Sequence, residues 1–300
     1  MLERFFEANR DRWSESTEEL YRHYLEDLTA YLAGEELAVV SVETLRAWLS
    51  GKPRWGASSR YQAIAAARHL FAWAIGAEKS PAHRLRMPRR VIRPQKTLRA
   101  EEVERFLAAC DTSTGQGTRD AALIALMVDT GLRVGEACSL RLEDLDLAER
   151  TLSVKIKGGK WGQAVFGAYT ARLLGTWLAM RSSFALPGVQ AVFVGVGGTK
   201  PGTGMTRHGV RANFYRIGYR AGLGPIMPHA LRRTFATLAL RAGAPSRLVQ
   251  VAGRWSSLAM VERYSQALTP RDFDPWSPIN RMFGVPDDER LSPSQETAET

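Results

Sequence analysis

Leu20, Tyr24, Leu28, Tyr31 and Leu32 recur at intervals of three and four residues, the spacing that returns side chains to one face of an α-helix. Ser16, with Glu19 three residues on, has the form of a capping box and predicts the start of that helix, and Gly34 predicts its stop. A second helix is expected after Ser41, with Leu45, Trp48 and Leu49 on one face and Gly51 behind it. A third is expected over residues 59–75, ending near Gly76. The stretch carries little β signal, so residues 1–83 predict a small helical domain.

Residues 84–96, RLRMPRRVIRPQK, break the pattern. Pro88 and Pro94 forbid a continuous helix, and Arg84, Arg86, Arg89, Arg90, Arg93 and Lys96 make six of its thirteen residues basic. This is a linker, either simply solvated or laid along a phosphate backbone. Helical patterns resume over 101–109, 119–129 and 134–140. Val154 and Ile156 then alternate with Lys155 and Lys157, and Gly158-Gly159 supplies a turn, which predicts a β-hairpin. Further helices are expected over 170–180, 207–221, 231–241, 246–251 and 259–267, the last capped by Ser256 or Ser257. Leu231, Phe235 and Leu238 form a core stripe, and the glycine-rich 197–204 stretch reads as a surface loop. The fold class is therefore mainly α: a helical domain, a basic linker, a mostly helical second domain over 97–283 with a small β-sheet or hairpin, and an acidic, disordered tail over 284–300.

Composition narrows the function. A chain of 300 residues with 45% hydrophobic and 24% charged residues is neither fibrous nor mainly disordered, and its length suits two domains. Cys110 and Cys138 form neither a disulfide framework nor a metal cluster and suit a reducing compartment. No apolar run approaches the roughly 20 residues of a membrane span, and the N-terminal MLERFFEANRDRW lacks the apolar core of a secretory signal. A soluble, cytoplasmic protein is expected. Lys and Arg number 41 against 31 acidic residues, a net charge of +10. Residues 284–300 carry −4, which leaves about +14 on the rest. Such a body fits a polyanionic partner, of which nucleic acid is the commonest. Several chemistries are absent by motif: there is no GxxxxGKS, HExxH, GxSxG or paired CxxC. Asp120, Asp129, Glu136, Glu143 and Asp144 show no metal-ligand spacing, so neither a metal nor another cofactor is expected.

Four segments hold the remaining candidates. In TGLRVGEACSL, Gly131 ends one helix and Arg133 opens the next, where exposed N–H groups also favour an anion. Lys157 and Lys160 flank the hairpin turn, from which a lysine can reach a DNA groove or protonate a leaving oxygen. In PHALRRTFATLAL, His229 and Arg232 share a helical face and suit a phosphate. In AGRWSSLAMVERYSQAL, Trp255 lies nine residues before Tyr264, with Arg254 beside it. Each alone reads as an ordinary surface or core residue.

Together they resemble the tyrosine recombinases, the phage integrase family, over about residues 97–266. The family order of Arg, a hairpin Lys, His-x-x-Arg, His or Trp, then Tyr maps onto Arg133, Lys157, His229, Arg232, Trp255 and Tyr264. Most members have histidine where Trp255 stands; Cre has tryptophan, also nine residues before its nucleophile. An indole N–H can donate to a phosphate oxygen but cannot exchange a proton near pH 7. The resemblance implies a site-specific DNA recombinase of the two-domain, Xer-like form. It would cut and rejoin strands through a 3′-phosphotyrosyl link on Tyr264, without metal or ATP. Glu136 would orient a neighbouring group. The linker cations and Lys160 would contact DNA. The protein would be a monomer when free, a homodimer on inverted half-sites and a homotetramer in the synapse. Phe273, Trp276, Ile279 and Met282, apolar for an exposed tail, would dock on a neighbouring protomer or pack on their own domain. A type IB topoisomerase, and a non-catalytic helix-turn-helix protein built on residues 245–265, are the alternatives.

Overall fold

The N-terminal periodicity is realised as four helices in a computed structural model that describes residues 1–89, 96–156, 161–265 and 282. They are α1 (Leu2–Ala8), α2 (Glu15–Leu32), α3 (Val42–Ser50) and α4 (Ala57–Ile75), followed by a 3-10 turn over Pro81–Arg84. Phe5, Leu28, Leu45, Trp48, Leu70 and Phe71 are fully buried in their shared core, each contributing about 1.5–3 kcal/mol of apolar burial. Ser41 caps α3 as expected, its Oγ accepting the Thr44 N–H at 3.0 Å. The start of α2 differs. Its N-cap is Ser14, so Ser16 already lies inside the helix. Ser14, Ser16 and Thr17 crowd this entry, and spacing alone does not choose among them. These elements belong to one compact unit, Met1–Pro94, and a second unit runs from Gln95 to Thr300.

The second unit contains α5 (Ala100–Ala108), α6 (Gly115–Thr130), α7 (Val134–Ser139), α8 (Ala168–Arg181), α9 (Arg207–Arg220), α10 (Pro228–Arg241), α11 (Ser246–Ala252) and α12 (Leu258–Ser265). A three-stranded antiparallel sheet is formed by β1 (Leu145–Asp146), β2 (Thr151–Lys155) and β3 (Trp161–Val165), in that order. The chain is thus mainly helical, with a small sheet. The spine is α6, buried on every side from Gly117 to Met127, as a helix at the centre of a core must be. It packs on α8 and α10.

The hairpin holds with Leu152 opposite Ala164 and Val154 opposite Gly162, and Leu152, Val154 and Ala164 face the core. Its tip, with Lys157 and Lys160, lies outside the described residues. Strand β1 is too short to show alternation in the sequence. The non-helical segment before the glycine-rich loop is also unannounced: Val192, Phe193 and Val194 are buried. Side chains satisfy its carbonyls, with Trp177 Nε1 donating to Val192 O at 2.9 Å and Arg119 Nη1 to Val194 O at 3.1 Å.

The α10 stripe needs correcting. Leu231 is buried, whereas Phe235 and Leu238 are both only partly buried. The buried face of α10 runs instead through Ala230, Leu231, Arg232, Thr234, Ala236 and Thr237. A satellite core of Ala236, Val249, Trp255 and Val261 fastens α11 and α12 to α10. Among the described residues no helix is long and apolar enough to cross a membrane. Of the apolar residues near the C-terminus, Met282 is exposed, while Phe273, Trp276 and Ile279 lie outside the described residues.

Candidate active site

The site begins at the turn between α6 and α7. Gly131 ends α6 at φ 62°, and a Cβ there would lie 2.5 Å from the Phe235 ring, so both backbone and space require glycine. Two residues later Arg133 occupies the N-cap of α7. Glu136 Oε2 accepts the Arg133 backbone N–H at 2.8 Å, and Oε1 accepts from Arg133 Nη1 at 2.7 Å. The carboxylate therefore holds both ends of Arg133, whose side chain is still 42% exposed.

Arg232 lies beneath, on the second turn of α10, and is 1% exposed. Its Nη1 donates to Gly131 O and its Nη2 to Gly253 O at 2.5 Å. One guanidinium thus joins the α6–α7 turn to the α11–α12 turn. The Trp255 ring lies 4.4 Å from the guanidinium carbon, a cation–π contact. Burial, followed by the charge of Arg133, pushes Arg232 down to about 10. His229 is exposed on the otherwise buried first turn of the same helix. Partial desolvation, then the charges of Arg233, Arg232 and Arg133, hold its imidazole below the usual histidine value. Both effects favour the neutral ring.

Tyr264 approaches from α12. Its ring lies 5.3 Å from that of Trp255, centre to centre, and Trp255 stacks on Phe235 at 6.1 Å. Tyr264 is within electrostatic reach of both Arg232 and Arg233. Trp255 is 5% exposed and forms the floor under Arg232. A Cβ on Gly253 would fall 1.9 Å from the indole, so glycine is required for the ring to fold back there. The two helices that suggested a helix-turn-helix are present, but their turn is buried against Arg232.

The structure therefore brings Arg133, Glu136, His229, Arg232, Trp255 and Tyr264 together from three of the four segments. Lys157, Lys160, Arg90 and Arg93 lie outside the described residues. Arg84, Arg86 and Arg89 are exposed. Lys96 is tied into the second unit: its Nζ donates to Leu223 O, and its carbonyl accepts from Arg233 Nε at 3.0 Å. Two participants were not picked out by the sequence. Arg233 was hidden as the second of two adjacent arginines, and Arg254 was set aside for its neighbour Trp255. Arg254 Nη2 lies 3.7 Å from Glu136 Oε2. Arg133 and Arg254 thus share one carboxylate, with Arg232 close enough to feel its charge, and the imbalance favours an anion. No group of three or more His, Cys, Asp or Glu residues among those described could hold a metal ion.

Comparisons with known proteins identify the family. The phage integrase family profile matches residues 96–270. Tyrosine recombinase XerC of Mycobacterium bovis (strain BCG / Pasteur 1173P2) is 30% identical over 268 residues, spanning 85% of this chain and 89% of the relative. The XerC of Mycobacterium tuberculosis (strain ATCC 25177 / H37Ra) matches to the same extent. Among solved structures, the XerA recombinase shares 25% identity with a TM-score of 0.53, over 95% of this chain and 98% of that one. A λ integrase dimer bound to a COC′ core site shares the fold at 19% identity, with a TM-score of 0.71 over 88% and 75% of the two chains. With its arginine pocket, neighbouring tyrosine and helical fold, the chain belongs to the phage integrase family and is a tyrosine-type site-specific recombinase that cleaves and rejoins DNA.

Proposed function

We propose that Tyr264 is the nucleophile and that Arg133, Arg232 and His229 bind and activate the scissile phosphate. The observation that carries this reading is the excess of guanidinium over carboxylate beside the one phenol of α12. As Tyr264 Oη bonds to phosphorus, its proton passes to His229, and the bond to the 5′-oxygen breaks. The leaving oxygen takes a proton from the hairpin lysine, Lys157. The ester energy stays in the 3′-phosphotyrosyl link, so a second 5′-hydroxyl can reverse the step and reseal a strand. Negative charge on the non-bridging oxygens meets Arg133, whose exposed guanidinium can make paired N–H bonds. Each such preorganised donor is worth about 2.7–4 kcal/mol. Arg232 uses two N–H groups to set the pocket and has others left for the phosphate. Trp255 supports Arg232 and is the indole donor nearest the phosphate.

The DNA partner is a duplex with inverted half-sites, bound by two protomers, with four in the synapse and a monomer in the absence of DNA. Related structures supply the precedent. One is XerH bound to a palindromic difH substrate, and another is a λ integrase tetramer bound to a Holliday junction. Arg84, Arg86, Arg89, Arg90, Arg93, Lys96 and Lys160 contribute phosphate contacts, so affinity falls steeply with salt.

The test uses a nicked duplex carrying the binding site found by footprinting. The wild-type chain should trap a covalent adduct, in EDTA and without ATP. Tyr264→Phe should bind with unchanged Kd and trap none. An adduct formed by Tyr264→Phe would overturn the assignment.

A further inference from the structure

Arg254 has no part in the steps above, yet it is held at a cost. Its φ is 55°, in the left-handed region that suits glycine. Its side chain is 5% exposed, and its buried Nε–H has no acceptor. Both terminal nitrogens of the guanidinium are engaged. Nη1 donates to Ala252 O at 2.8 Å, and Nη2 donates to Thr130 O at 3.2 Å and faces Glu136. The Cδ crosses β3 so closely that a Cβ on Gly162 would lie 3.0 Å from it. A buried cation with strained backbone and an orphan donor is a poor stabiliser. What it does join is telling. The turn before Trp255 and Tyr264, the end of α6 before Arg133, and the strand leaving the Lys157 hairpin all meet on this one side chain.

We infer that Arg254 is a positioning residue for strand cleavage. It holds the Tyr264-bearing turn against the α6–α7 turn and shares the charge of Glu136, so that Arg133 stays available to the phosphate. Glu136 Oε2 already serves the Arg133 N–H and Arg254, and Oε1 serves Arg133 Nη1. Without Arg254, the carboxylate would draw Arg133 more strongly and compete with DNA for it.

The inference rests on the phosphotyrosine reading, and single-turnover cleavage by the full chain at saturating enzyme separates the two. Arg254→Gly removes the side chain and relieves the backbone. Its cleavage rate should fall roughly 10- to 100-fold, with DNA Kd and Tm close to wild type. Glu136→Gln added to Arg254→Gly should recover part of that loss. The amide still accepts the Arg133 N–H at this capping position but no longer attracts its guanidinium. Arg254→Lys keeps the charge without the fork and should fall between wild type and Arg254→Gly, or below wild type should the glycine variant not fold. The inference fails if Arg254→Gly or, in that event, Arg254→Lys cleaves at the wild-type rate, or if the double variant is no faster than Arg254→Gly. A wild-type chain that traps no adduct on Tyr264 would instead remove the reading beneath it.

Discussion

Two buried arginine clusters in the second unit have opposite charge balance. In the first, Arg119 meets Asp120 with Nε and Nη2 on Oδ1 at 3.0 and 2.7 Å, both side chains being almost wholly buried. Asn213 Nδ2 donates to the same oxygen at 3.2 Å, and Arg119 Nη1 donates to Val194 O. That cation has a carboxylate of its own and ties α6 to α9 and the 191–194 segment. In the second, Arg133 and Arg254 share Glu136, Arg232 lies within reach of its charge, and Tyr264 stands beside them. Burial with balance holds a fold together, whereas burial with excess charge leaves room for an anion.

Removing one member of each cluster should therefore have unlike consequences. Asp120→Ala strands a buried guanidinium and should cost about 3–5 kcal/mol of stability, read as a lower urea midpoint. The folded fraction should cleave at the normal rate, and a large loss of activity per folded molecule would break the comparison. Arg133→Ala removes a half-exposed side chain and should leave Tm nearly unchanged. Cleavage should slow by about 10²–10³-fold, the worth of one lost donor. The smallest effect is on pH dependence. His229 is held below 6.5 by desolvation and by Arg233, Arg232 and Arg133, and it must be neutral to take the phenol proton. Cleavage should thus fall only as pH drops below 6.5, through the depressed value. Arg233→Gln removes the largest of the charges acting on His229, so its imidazole should rise towards 6.5. The acid limb of the rate profile should move up with it. An unmoved limb would show that His229 is not the titrating base.

Much of the site could be read from local spacing. Gly131 followed by Arg133, His229 three residues before Arg232, and Trp255 nine before Tyr264 each sit within one turn or helix pair, so the family order could be matched to them in the sequence. Burial was less legible. Nothing in the local sequence marks Arg232 as buried; two carbonyls distant in sequence, of Gly131 and Gly253, accept its N–H groups there. Arg254 escaped because its place is fixed by Glu136 and Thr130, which lie more than a hundred residues away. The same holds for the fold. Helix periodicity located the long helices within a few residues, while β1 is too short to have a period. The 191–194 segment is buried by side-chain donors that no local pattern announces.

The most direct measurement is the identity of the residue that carries the DNA. Trapped on a nicked duplex, trimmed with nuclease and digested, the adduct should yield in mass spectrometry a peptide bearing a 3′-linked phosphonucleotide on Tyr264. A nucleotide on any other side chain, or on Tyr264 through a 5′-phosphate, would contradict the mechanism.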